Sequence, residues 1–499
     1  MSNRARRILL IEPPFHRLFK ETYSLDRFPL GLAYLAGAIR TGTPWEVQVY
    51  NADFAGPSEP IEVRYWVSKG FESHLHALQD SSAAIWREVA AVIQDFQPAV
   101  VGLTAKTQNF ASACRVAEMV KRIDPDMRVI VGGPHASMVG REILRNPSID
   151  VCVRGEGERT IVELLEALDR GADLGAVAGV VFRRGGEVVA NPPRPLMNDL
   201  DSLPFPHQVA PAVLRDYSTY PRSAFRNIFA TRGCPYQCLY CGSRNIWGRS
   251  VRYRSPDNVA AEIRGLRAGG LRFVNFDDDL FGVRRDYTEA LCRAIRTQCP
   301  GVAWSCETHV NLIDRATVET MKAGGCYKIN LGIESGNDEI LRAIHKNITI
   351  ASALAACREI KRSRLELVTF FMVGFPQETE QTLADTRAAM EAVRCDTVVY
   401  SIFTPYPNTE AYELCRQMGL IGEDFDPTLY NHQSPANCFC KAIPPGRFRE
   451  LLGPIEREVD RRNRRNRLKR IFSRTTLRRA GELGWRQSFR KIRRVLLGI

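Results

Sequence analysis

An α/β fold made of two successive strand–helix units is predicted by three observations. Residues 7 to 170 alternate short apolar runs with amphipathic helical stretches, the same alternation resumes near Asn227 and runs to about Thr404, and a turn-rich stretch separates the two. In the first unit Arg7-Ile-Leu-Leu-Ile11, Trp45 to Tyr50, Ala99-Val-Val-Gly-Leu103, Arg128-Val-Ile-Val131 and Asp150-Val-Cys-Val153 read as strands. Helices are predicted from about Leu30 to Arg40, Ser81 to Phe96, 110 to 122 and 159 to 168. Strands separated by helices form a parallel sheet covered on both faces, so this unit is doubly wound. Residues 175 to 206 hold a hairpin-like stretch, Val177 to Asn191 turning at Arg184-Gly-Gly-Glu187, then Pro192-Pro193 and Pro204-Phe-Pro206, a composition that suits a linker. In the second unit Asn227-Ile-Phe-Ala230, Phe273 to Phe276, Ala303 to Cys306, Lys328 to Ile333, Leu367 to Val373 and Thr397 to Ile402 are the strand candidates. Six strands with intervening helices make a full or partial barrel.

The chain has 499 residues, 44% hydrophobic and 25% charged, the composition of a globular protein and not of a collagen or a disordered chain. Its N-terminus offers only the apolar run Ile8 to Ile11, too short for a signal peptide, and no stretch reaches the roughly 18 apolar residues of a membrane span. A cytoplasmic protein is expected, so its 14 cysteines point to metal or redox chemistry where they cluster and to small buried hydrophobes where they are scattered. The net charge of +13 is unevenly placed. From Lys441 to Ile499 there are 19 basic and 5 acidic residues, against 50 and 51 in the remainder, so the body of the protein is near neutral.

The cysteines of Gly233-Cys234-Pro-Tyr-Gln-Cys238-Leu-Tyr-Cys241 stand at C-x3-C-x2-C spacing directly after a predicted strand. Three thiolates so close can each ligate one iron of a cubane cluster and leave a fourth iron open to an outside ligand. Structural zinc wants four ligands, and no fourth sits at suitable spacing. This motif resembles that of the radical S-adenosylmethionine (SAM) superfamily. The resemblance implies a [4Fe-4S] cluster on Cys234, Cys238 and Cys241, SAM chelated to the open iron, and reductive cleavage to a 5′-deoxyadenosyl radical. It also implies SAM contacts from Tyr240 against the adenine, Asp278 and Asp279 at the ammonium, Glu307, Glu334 and Ser335 near the methionine or ribose, and the backbone at Val373 and Gly374, in Phe371-Met-Val-Gly-Phe-Pro376 followed by Glu378.

The first unit resembles the cobalamin-binding domain of one class of these enzymes, through Pro29-Leu-Gly-Leu-Ala-Tyr-Leu35, Val101-Gly-Leu-Thr104, Val131-Gly-Gly-Pro-His135 and Arg154-Gly-Glu-Gly-Glu158. Each falls at a strand's carboxyl end or opens a helix, where doubly wound sheets bind ligands. The resemblance implies corrin contacts from Leu30, Gly31, Thr104, Gly132, Gly133, Pro134, His135, Gly155, Glu156 and Gly157. An Asp-x-His-x-x-Gly motif, whose His coordinates cobalt in many cobalamin domains, is absent from the sequence. His135 is therefore open to two readings, a cobalt ligand or a loop residue beside the corrin.

The implied architecture is a cobalamin-binding Rossmann-like domain at 1–174, a linker with hairpin at 175–215, a radical SAM partial (β/α)6 barrel at 216–405, and a capping segment with a basic helical tail at 406–499. The implied reaction is methylation of an unactivated carbon through methylcobalamin and the 5′-deoxyadenosyl radical. Radical cyclases and ring-rearranging enzymes of the magnesium-protoporphyrin type share both domains, and a non-catalytic cobalamin or SAM sensor is a further alternative. A methylthiotransferase would need three more ordered cysteines, and the first 200 residues hold only Cys114 and Cys152. An electron donor such as flavodoxin or ferredoxin is the expected protein partner.

After the last strand, Tyr406, Tyr430 and His432 are candidates to line a substrate pocket. Near the C-terminus Trp485, Phe489, Ile492, Leu496 and Ile499 fall on one helical face with Arg486, Arg490, Lys491, Arg493 and Arg494 on the others. That pattern suits an anionic membrane surface through 474–499, and with it a hydrophobic or lipid substrate. A helix packed on the enzyme body is the plainer reading. Nucleic acid is disfavoured because no reading module accompanies the arginines.

Overall fold

The computed structural model describes residues 6–56, 69–430 and 437–470. The first sheet has seven strands: β1 (Arg7–Glu12), β2 (Glu46–Asn51), β3 (Val100–Thr104), β4 (Arg128–Gly132), β5 (Val151–Val153), β6 (Val180–Arg184) and β7 (Glu187–Ala190), in the order β2-β1-β3-β4-β5-β6-β7. β1 to β5 pair in parallel; β1, β3, β4 and β5 lie inside the sheet and are apolar through most of their length, whereas β2, at the edge, alternates from the exposed Glu46. β6 and β7 pair antiparallel at the edge. The hairpin expected in the linker is thus part of this sheet: Val180, Val181 and Phe182 are buried in its two cores, which a solvated linker would not allow.

A small ribbon and an open parallel sheet follow. The ribbon pairs β9 (Thr231–Arg232) with β10 (Arg252–Tyr253), and the sheet holds β8 (Asn227–Ile228), β11 (Phe273–Phe276), β12 (Ala303–Thr308), β13 (Cys326–Glu334), β14 (Glu366–Val373) and β15 (Thr397–Ile402), in the order β15-β14-β13-β12-β11-β8. β8 is shorter than its apolar run because the next amides leave the ladder, those of Ala230 and Thr231 donating to the Asp278 carboxylate at 2.8 and 3.1 Å.

Side chains alternate along these strands. Leu367, Phe371, Val373, Val398 and Ile402 join the core beneath the surrounding helices. Their alternates face the concave side. On the β8–β12 half these form a polar chain, Asn275 donating to Asn227 at 3.0 Å and accepting from Ser305 at 2.6 Å.

The helix Pro445–Arg470 covers the free edge at β15. Asn463 accepts from the Val398 amide at 2.9 Å and donates to the Val398 carbonyl at 2.7 Å, and Asn466 donates to the Cys395 and Asp396 carbonyls at 3.2 and 3.1 Å. Among the described residues no helix is long and apolar enough to cross a membrane. His432 and the 474–499 stripe lie outside the described residues.

Candidate active site

Cys234, Cys238 and Cys241 sit in a loop between β9 and the short helix Arg244–Trp247, anchored from several sides. The Leu239 amide donates to the Ile344 carbonyl at 3.1 Å, the Leu239 carbonyl accepts from Ala411 at 3.0 Å, and Tyr236 stacks on His309 at 3.8 Å. Gly233 opens the loop at φ +106, where an added Cβ would collide with the Ser250 carbonyl. Burial raises all three thiols, Cys234 to about 11, with Cys238 and Cys241 among its charged neighbours. Cys241 nevertheless keeps an exposed surface. Among the described residues no three His, Cys, Asp or Glu side chains converge on a single-ion position. Three thiols spread over one anchored loop are a donor set for a polynuclear cluster, which takes one thiolate per iron. Their raised pKa values mean that loading a cluster releases protons.

Around the loop the expected SAM residues divide. Asp279 is exposed, accepting from Ser243 at 2.9 Å and from the Gly233 amide at 3.4 Å. Glu307 is likewise exposed, 3.4 Å from the Asn330 amide. Glu334 ends β13 at φ +71 and pairs with Lys346 at 2.8 Å, a lysine raised by Glu334 and by the nearby Cys238 and Cys241 once its own burial is offset. The Tyr240 hydroxyl bonds Cys238, and its ring lies 5.8 Å from that of Phe375.

Three expectations are corrected here. Asp278 is buried and spent on Ala230, Thr231 and the Thr231 hydroxyl, and burial raises it to about 7, so it holds the strand before the cysteine loop and does not meet a ligand. Ser335 is fully buried, its hydroxyl shared between Thr386 and the Asn337 amide. At Val373 and Gly374 the backbone is already engaged: the Val373 carbonyl accepts from Phe403, and the Gly374 and Phe375 amides donate to the buried Glu378 carboxylate.

On the first domain the carboxyl ends of β1, β3, β4 and β5 carry the expected corrin residues. An added Cβ at Gly31 or Gly155 would meet nothing within 4 Å, so this edge is open to a flat macrocycle. Thr104 and Gly132 are half-buried there, Gly133 turns at φ +97, and Pro134 starts the helix Pro134–Val139. Leu30 begins the helix Leu30–Gly42, and Gly157 packs on Leu35 of that helix.

Two residues on this edge have other work. His135 is buried against Phe110 at 4.4 Å, 3.1 Å from the Thr107 hydroxyl and lowered by burial to about 4, so it packs the domain and is not presented as a cobalt ligand. Glu156 is buried and faces the second domain, bound to Arg232 at 2.7 Å, Arg252 at 2.8 Å and the Met197 amide at 2.6 Å. Arg232 also binds Glu158 at 2.5 Å and lies over the Phe229, Trp247 and Tyr34 rings.

The two sites meet. Met138 of the corrin-side helix touches Gly242, next to Cys241, where an added Cβ would come within 2.8 Å of its sulfur. Arg27 of the first domain pairs with Asp277 at the end of β11. A pocket of about 440 Å³ beside the loop is lined by Leu239, Arg244, His345, Asn408 and Glu410 but takes in none of the three cysteines.

The comparisons with known proteins agree with this architecture. The model for the B12 binding domain matches residues 17–165 and that for the radical SAM superfamily matches 228–390. The uncharacterized methyltransferase PH0819 of Pyrococcus horikoshii is 30% identical over 410 residues, 82% of each chain. The chain belongs to the cobalamin-dependent radical SAM enzymes. Its cofactors are accordingly a [4Fe-4S] cluster, SAM and cobalamin. The anaerobic magnesium-protoporphyrin IX monomethyl ester cyclase of Rubrivivax gelatinosus is 27% identical over 437 residues, 86% of this chain and 73% of the cyclase. Among solved structures the radical SAM methyltransferase TsrM of Kitasatospora setae, with tryptophan and a SAM analogue bound, aligns with TM-score 0.64 at 18% identity, covering 84% of this chain and 77% of TsrM. The cobalamin-dependent radical enzyme OxsB aligns with TM-score 0.61 at 17% identity, covering 82% and 55%.

Sequence reasoning missed Arg27, Lys346 and the Arg232–Arg252 pair. Arg232 carried a signal, a cation two places before Cys234. Arg27 lies in an aperiodic loop and carried none.

Proposed function

We propose that this radical SAM enzyme methylates an unactivated carbon of a small molecule. The observation that carries the reading is the contact of Met138 with Gly242, which sets the corrin-side edge of the first domain directly against the cluster loop. When bound, the cluster and SAM supply a 5′-deoxyadenosyl radical, and cobalamin carries the methyl group. Cys234, Cys238 and Cys241 would hold the cluster, Asp279 would accept from the SAM ammonium, Lys346 beside Glu334 would face its carboxylate, and Tyr240 would bound the adenine. Gly31, Thr104, Gly132 and Gly155 would border the corrin.

Anaerobic reconstitution with iron, sulfide, cobalamin and methyl-labelled SAM tests the reading. Methylation yields S-adenosylhomocysteine together with 5′-deoxyadenosine. Formation of 5′-deoxyadenosine alone supports a second reading, radical cyclisation, which similarity to the cyclase over 86% of this chain favours. In the Cys238→Ala variant 5′-deoxyadenosine formation is lost altogether; cleavage at the full rate would remove the cluster assignment.

Electrons would come from a donor such as flavodoxin or ferredoxin. The basic stripe of 474–499 supports docking on an anionic membrane, and its deletion should abolish binding to phosphatidylserine vesicles.

A further inference from the structure

The concave side of the second sheet is divided in two by chemistry. On β12 and β13 it presents Ser305, Glu307, Lys328 and Asn330, and the Asn330 Oδ1 atom is buried without a hydrogen-bond partner. On β14 and β15 it presents Val368, Phe370, Met372 and Val399, between Glu366 and Thr397 at one end and Ser401 at the other. Val368, Phe370 and Val399 belong to none of the hydrophobic cores, although they are large and apolar, and Phe370 and Val399 are only partly covered. An apolar patch therefore lies beside a polar one on this face of the sheet, Val368 standing in register with Asn330.

Charge further narrows what this cavity accepts. The cations around the mouth are already matched: Arg27 with Asp277, Lys346 with Glu334, and Lys106 with Glu12 at 3.1 Å. Lys328, lower on β13, also has an interaction of its own. Glu307 and Asp279 are solvent-accessible and form no ion pair within 4 Å among the described residues; partial burial holds both carboxyls above their usual pKa, against the pull of Lys328 and Arg27 on Glu307 and of Arg232 on Asp279. Asp279 is claimed by SAM in the proposed reaction, which leaves Glu307 and the Asn330 oxygen facing the remaining space. An anionic head group would have to compete with the carboxylates already beside these cations and would lie against Glu307, whereas a cationic one would find that carboxylate solvent-accessible.

We propose that the substrate is an amphipathic cation, with an ammonium or similar N–H-bearing head on Glu307 and Asn330 and an apolar body against Phe370, Met372 and Val399. This rests on the reading of the barrel mouth as the reaction site and narrows its substrate class. It reassigns Glu307, expected at SAM from the family resemblance, to substrate recognition.

The test uses the holoenzyme loaded with cluster, cobalamin and SAM, and measures equilibrium binding of octylamine, octanoate and methylamine. Octylamine binds at least about tenfold tighter than either of the others, because only it offers both a cation and an apolar chain. Glu307→Gln weakens octylamine roughly tenfold while octanoate gains or is unchanged, Glu307→Asp recovers part of the loss, and Phe370→Ala weakens octylamine several-fold. Octanoate binding as tightly as octylamine, or octylamine binding indifferent to both Glu307→Gln and Phe370→Ala, overturns the proposal. SAM binding, followed by the change it causes in the electron paramagnetic resonance of the reduced cluster, is retained in all variants. Its absence from the wild-type protein would instead overturn the reaction assignment, so the two failures are distinguishable.

Discussion

Two groups of charged residues stand within a few positions of strand ends and differ in every physical respect. Glu156, Glu158, Arg232 and Arg252 are buried and bind one another across the two domains. Asp279 and Glu307 are solvent-accessible and form no ion pair within 4 Å among the described residues, with Arg232 near the first and Lys328 and Arg27 near the second. The first group is structural: each charge is desolvated and depends on its partner, and Arg232 fixes the chain two residues before Cys234. The second is free to respond to a ligand. The same residue types thus fasten the two cofactor domains in one place and leave chemistry available in the other.

The widest gap between the groups should appear on removing one charge from each. Arg232→Ala leaves the buried Glu158 without a guanidinium and Glu156 with Arg252 alone, and should cost about 3–5 kcal/mol in chemical denaturation. Replacing Arg232, Arg252, Glu156 and Glu158 together by apolar residues, which leaves no buried charge of the group behind, should recover much of that loss. A loss below about 1 kcal/mol for Arg232→Ala would make the buried group no more than a surface pair.

A second contrast is in pH. Glu378 is fully buried, its carboxyl raised from the usual 4.5 to about 8 by burial, in spite of the amides of Gly374 and Phe375. Its folded pKa lies above its unfolded value, so its favourable contribution is complete below about pH 4.5 and is lost as the pH rises through about 8. Glu378→Gln should therefore flatten the decline of stability across that window by up to a few kcal/mol. An unchanged slope would show that Glu378 is ionised in the fold.

Asp279→Asn should shift stability by less than about 1 kcal/mol while weakening SAM roughly tenfold. The reverse pattern would move Asp279 into the structural group. The smallest effect on ligand binding belongs to His135→Phe, which should leave the cobalamin absorption spectrum unchanged and its affinity within about threefold. A displaced absorption maximum would restore His135 as a cobalt ligand.

Much of this was legible in the sequence because it depends on local spacing. The cysteine loop is defined by intervals of three and two residues, and the parallel strands by unbroken apolar runs from Ile8 to Ile11 and from Val100 to Leu103. What failed was orientation. Asp278 and Asp279 are adjacent in the loop after β11, yet one is buried on the Ala230 and Thr231 amides and the other is exposed beside Ser243. Nothing in their shared type distinguishes them. Glu156 and His135 failed for a related reason: whether a residue beyond a strand's carboxyl end faces a ligand, the neighbouring domain, as Glu156 does, or its own domain's core, as His135 does, is decided by packing. The hairpin at 180–190 was misplaced because its turn chemistry is the same on a linker as on the edge of a sheet.

The open sheet of the second domain also bears on how copies of this protein behave toward one another. A strand edge with bare amides and carbonyls is a template on which another chain can add a strand. Asn463 and Asn466 imitate such a neighbour, using side-chain amides where a further strand would use its backbone. A chain cut before Asn463 would retain both cofactor domains yet expose that template, and such chains would be expected to polymerise edge to edge. The helix beginning at Pro445 is thus a guard on solubility, keeping the sheet finite.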